Sequence, residues 1–103
     1  MAKKKLEFEV KEASDFKVLY VTGAFGGLDA HEGRIIFFVD RVVPKLKDKR
    51  TGAMEVGKIV RELQIELRMT PARFKSIAMW MLEHVKRFEK QFGKLKEEVR
   101  YIE

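Results

Sequence analysis

The chain has 103 residues, 46% of them apolar, and its 22 Lys and Arg against 16 Asp and Glu give a formal charge of +6. This length accommodates one modest domain, which excludes a large enzyme fold or a doubly wound sheet, and the apolar share excludes a disordered tail. With no cysteine, a disulfide framework, a zinc ribbon, an iron–sulfur site and a thiol nucleophile are excluded too. In chain order, Met1-Ala2-Lys3-Lys4-Lys5 forms a basic, flexible start over residues 1–5. It is followed by alternation rather than an apolar run, so no export signal is expected. Leu6, Phe8 and Val10 alternate with Glu7, Glu9 and Lys11, and Phe16, Val18 and Tyr20 alternate with Leu19 and Val21. This period of two predicts a hairpin of strands over 6–11 and 16–21, turning at Ser14-Asp15.

Residues 23–33 hold four glycines, which predicts a loop whose backbone visits positive φ or approaches another group closely. Phe25 and Leu28 would pin it to the core or to a partner. Arg34-Ile35-Ile36-Phe37-Phe38-Val39 is apolar on both faces, as in a central strand or a strand at a subunit contact. The polar, lysine-rich stretch around Pro44-Lys45 reads as an exposed basic loop over 44–56. Residues 59–69 return to period two, with Leu63, Ile65, Leu67 and Met69 on the inner face.

Thr70-Pro71 is a helix start: the hydroxyl caps free N–H groups and proline suits the first helical position. A helix of 22 residues to Phe92, about 33 Å long, stops at Gly93. Phe74, Ile77, Ala78, Met81, Leu82, Val85, Phe88 and Phe92 form one apolar stripe. Leu95, Val99, Tyr101 and Ile102 mark the tail as a short strand or a docked extension. The expectation is a single α+β domain over 1–103: a small antiparallel sheet of about four strands with one long C-terminal helix packed across one face.

One helix cannot cover two sheet faces. Leu19, Val21, Phe25, Leu28, Ile36 and Phe38 are therefore the expected subunit-contact residues of a homodimer. This favours a small, non-enzymatic, homo-oligomeric interaction or assembly protein, with a further protein partner also open. The second reading is non-specific contact with a nucleic-acid backbone. It rests on Lys3, Lys4 and Lys5, on Lys45, Lys47, Lys49 and Arg50, on the helix cap Thr70, and on the helix flank of Arg73, Trp80, His84, Arg87 and Gln91. A small hydrolase or ligand-binding enzyme is the third, because no catalytic residue stands out. Asp29, His31 and Glu32 match no strong metal motif. No metal and no cofactor are expected. No apolar run approaches the ~20 residues of a membrane span, so the expected place is the cytoplasm, away from membranes.

Met69-Thr70-Pro71, Lys75, Leu82 and the ending Phe88-Glu89-Lys90-Gln91-Phe92-Gly93-Lys94-Leu95 resemble domain-of-unknown-function family 3467. This is a family of short, uncharacterised prokaryotic proteins. It has a Thr/Ser-Pro helix start, a Tyr/Phe-Glu pair ahead of a final Phe-Gly, and an Asp-Phe pair matched here by Asp15-Phe16. The resemblance covers roughly residues 6–95, although Gly23–Arg50 is longer and richer in glycine than the family's connection. It implies this helix register and a small cytoplasmic protein, and it carries no activity, cofactor or catalytic residue.

Overall fold

A computed structural model describes residues 5–98. Lys3, Lys4 and the tail positions Val99, Tyr101 and Ile102 lie outside them, as does nearly all of the basic start expected over 1–5. The fold is α+β. Strands β1 (Gly23–Leu28), β2 (Gly33–Leu46) and β3 (Met54–Met69) form one antiparallel sheet in the order β1-β2-β3, followed by helix α1 (Pro71–Phe92).

The glycine-rich stretch is a correction to the sequence reading. Its first half is strand β1, and the turn occupies only the residues between Leu28 and Gly33. A ladder from Gly23↔Phe38 to Leu28↔Gly33 satisfies the backbone and outweighs the low strand propensity of glycine. Both expected glycine behaviours meet at Gly26. Its φ is +148°, and a Cβ there would overlap the Arg34 carbonyl oxygen and sit 2.9 Å from the carbonyl carbon.

A second correction concerns 6–11 and 16–21, which form no strand. Ser14-Asp15 does turn, closed by the Phe16 N–H donating to the Ala13 carbonyl at 3.0 Å. The flanking arms stay open: Phe8 is 90% and Val10 95% exposed. Period-two patterning makes a strand only where a neighbouring edge supplies hydrogen bonds and cover. Thr22 ends that supply. Its N–H donates to the Phe38 carbonyl (3.0 Å), and its hydroxyl oxygen accepts the Asp40 N–H (2.9 Å) that a continuing β1 would have met. The sheet thus has three strands, not four.

The β2–β3 ladder runs from Gly33↔Met69 to Leu46↔Met54. Both strands extend into the expected basic loop, so the irregular tip narrows to residues 47–53, closed by the Lys47 N–H on the Ala53 carbonyl (2.8 Å). One register shift falls between Phe37↔Ile65 and Phe38↔Leu63. The extra residue, Gln64, is a β-bulge, and it corrects the expected inner set. Residues opposite each other in an antiparallel pair share a face. Ile65, Leu67 and Met69 therefore lie with Gly33, Ile35 and Phe37, whereas Leu63 lies with Phe38 and Ile36 on the other side.

Helix α1 begins and ends where its caps require. Thr70 Oγ1 accepts the Arg73 N–H (3.3 Å), Pro71 follows, and Gly93 at φ +98° donates its N–H to the Glu89 carbonyl (2.9 Å). Its placement is the third correction. α1 meets the sheet at Phe74, whose ring fills the place of a side chain at Gly33 (2.9 Å from a Cβ there to Phe74 Cγ). Beyond that point its apolar stripe is open, with Leu82 44% exposed. It does not lie across the sheet. A 16-residue strand and a 22-residue helix placed end to end come to about 87 Å, close to the 83 Å long axis of the chain.

Candidate functional site

Phe38 is the one apolar side chain buried among the described residues, at 5% exposure. The missing side chain of Gly23 opens room for its ring, Phe25 stacks against it at 6.2 Å between centroids, and the Arg61 guanidinium lies over it at 4.0 Å. Arg61 is held there by Asp40 through two hydrogen bonds of 2.8 and 3.0 Å. Phe38 and Phe25, expected at a subunit contact, thus pack on each other within one chain. Ile36 and Val21 are half-buried, while Leu19 and Leu28 are exposed.

Around this point β2 and β3 carry ion pairs, across the two strands and, for Arg68 and Glu66, along β3. Glu66 accepts from Arg34 Nε (2.8 Å) and Arg34 Nη2, and from Arg68 Nη2 (3.3 Å). Arg41 pairs with Glu62 (3.4 Å) and Lys45 with Glu55 (3.7 Å). Hydrogen bonds from Arg34 and Arg61 hold the Glu66 and Asp40 carboxyls below their ordinary values, and Glu66 in turn raises Arg34. Asp29 is lowered by the backbone N–H groups of Glu32 and His31, at 2.8 and 2.7 Å.

Because these carboxyls titrate lower in the folded chain, their contribution to stability is present above the ordinary values of 3.8 and 4.5. It is lost as pH falls through the depressed values. The thermal midpoint is expected to hold from neutrality to about pH 5, then decline below about pH 4. The decline should be shallower in high salt, which screens exposed pairs. A midpoint flat through the acid range would show that these pairs do not stabilise the fold.

The polar candidates are dispersed. Asp29 closes its own turn, so its carboxylate is committed. Among the described residues no group of three or more His, Cys, Asp or Glu could hold a metal ion. An open cavity of about 400 Å³ beside the β1–β2 turn is walled by Phe25, Gly27, Arg34 and Ile36, and its cation is already tied to Glu66. Lys47, Lys49 and Arg50 sit on the β2–β3 tip, whereas Arg73, Trp80 and Arg87 sit on α1, beyond the other end of β3. Trp80 and His84 stack edge to face at 4.7 Å, and Trp80 is 59% exposed. The Arg73 N–H at the helix start is occupied by Thr70. Within one chain the two basic groups form no continuous surface.

What remains is apolar area. The chain exposes 10,510 Å², against about 6,000 Å² for a compact monomer of this mass, and buries about two-fifths of its extended surface instead of two-thirds. Its radius of gyration, 20.6 Å, compares with about 13 Å for a compact chain of this length. The α1 stripe and the sheet face carrying Ile35, Phe37, Ile65 and Leu67 are its main open ordered surfaces. Sequence patterning found the stripe. It missed the Phe38–Arg61–Asp40 cluster, whose only signal was an arginine interrupting an apolar alternation.

No helix among the described residues is long and apolar enough to cross a membrane. A family model described as a protein of unknown function (DUF3467) matches residues 1–97, the family that the helix-end residues resemble. No curated protein and no solved structure matches the chain.

Proposed function

We propose that this chain, which belongs to the DUF3467 family, is a non-enzymatic assembly module whose working form is a homo-oligomer, at its simplest a homodimer. The observation behind this reading is the near absence of a core in the single chain. One buried apolar side chain among the described residues, Phe38, does not offset the conformational entropy of ordering a domain, about 1–2 kcal/mol per residue. Association covers the remaining apolar surface, as in obligate dimers whose interfaces resemble a domain core cut in half. The nucleic-acid alternative has less support, because its basic groups lie at opposite ends of β3.

Sedimentation equilibrium at micromolar concentration tests the proposal. The expected species has at least twice the chain mass of 12.1 kDa. A folded species of single-chain mass would overturn it.

A further inference from the structure

We infer that the cover for each sheet is helix α1 of a second copy: two chains exchange their helices reciprocally, with Thr70 as the joint. This rests on the assembly reading above and goes further by naming the element that crosses.

The excess over a compact chain is about 4,500 Å² per copy, whereas a standard contact buries about 800 Å² per partner. Side-by-side docking would leave most of the excess in water. Reciprocal exchange makes two helix–sheet contacts per dimer instead of one docked patch, the manner of obligate dimers that bury about 2,000–5,000 Å² in total, while part of the excess stays on the open arm over 6–21.

Phe74 at Gly33 shows on which face α1 begins, and that face carries Ile35, Phe37, Ile65 and Leu67. On β3 the face is apolar from Met69 to Ile65, roughly 14 Å of strand, before Glu62 and Arg41 pair across it. The stripe from Phe74 to Phe92 is about 27 Å long. The first half of that stripe matches the apolar part of the face in length and chemistry, yet within one chain the two meet only at the first turn of the helix.

One residue separates β3 from α1. Thr70 is extended (φ −65°, ψ 155°), and its carbonyl and hydroxyl both serve the first turn, accepting from Phe74 N–H (3.0 Å) and Arg73 N–H (3.3 Å). The proline ring of Pro71 fixes the next φ. Such a joint leaves no slack for α1 to reverse onto its own sheet, and short, stiff connections favour exchange between copies. A helix of this length is also marginal in water until its apolar face is packed.

The test uses two arms on the full chain. A flexible Gly/Ser insertion of about six residues after Thr70 lets α1 fold back. The expected result is a helical, folded monomer where the unaltered chain is a dimer. A dimer that persists unchanged would overturn the exchange. In the second arm, the absence of native cysteine gives a clean background for co-refolding Leu67→Cys chains with Met81→Cys chains. A disulfide between the two kinds of chain is expected. Disulfides only between Met81→Cys chains would overturn exchange in favour of helix-to-helix pairing. Should the insertion variant fail to fold, the cross-link decides. An unaltered chain that is monomeric sinks the assembly reading itself, whereas a dimer failing these arms sinks only the exchange.

Discussion

Replacing Leu82 with aspartate is expected to dissociate the protein into single chains and remove its cooperative unfolding. Leu82 lies mid-stripe on α1 and is 44% exposed in the single chain. In an isolated helix its substitution would matter little, since surface changes stay within about 0.5 kcal/mol. In an assembly that covers the stripe, the carboxylate enters an apolar contact without a partner. That costs about 3 kcal/mol per copy, or about 6 per dimer, equivalent to weakening association about 10⁴-fold. Sedimentation and thermal unfolding read both effects. Ser76→Asp, on the opposite helix face, is the control and should leave the dimer intact. Equal behaviour of the two variants would show that the stripe faces water in the working protein.

Gly26→Ala is expected to release β1 from the sheet. The methyl group would drive into the Arg34 carbonyl, and φ of +148° disfavours any L side chain. The loss should be about 3 kcal/mol, within the range for strained backbone positions. Gly27→Ala is the reference, because a Cβ there meets nothing within 4 Å, and it should change stability by less than about 0.5 kcal/mol. Amide exchange at Phe25 and Ile36, which face each other across the ladder, reports the release. Similar protection in both variants would mean that β1 moves enough to accept the methyl group.

Local signals were the legible part of this fold. Thr70-Pro71 and Gly93 marked the helix ends because capping depends on neighbours within one turn. The apolar run at Ile35–Val39 and the alternation after Ile59 marked β2 and β3. Partnership was not legible. Leu6–Val10 and Phe16–Tyr20 have strand periodicity, but the pattern does not say which edge they would join, and Thr22 diverts the chain before one is reached. Gly23–Leu28 reads as a loop by composition, and only its register against β2 makes it a strand. The bulge at Gln64 was equally hidden: the alternation reads straight through it, yet it sends Leu63 to the face of Phe38. For the candidate surface, the stripe on α1 was plain and its counterpart was not, because periodicity marks an apolar face without saying what covers it.

The single-residue joint at Thr70 also separates two clocks. β2 and β3 are linked by a short closed tip, so their pairing is a first-order event of the kind that takes microseconds in hairpins. A helix that finds its seat on another chain arrives by collision, at a rate set by concentration. Refolding would then carry a fast phase indifferent to dilution and a slow phase that dilution stretches. Newly made chains would pair with one another while mature pairs, held by two crossed helices, exchange members slowly.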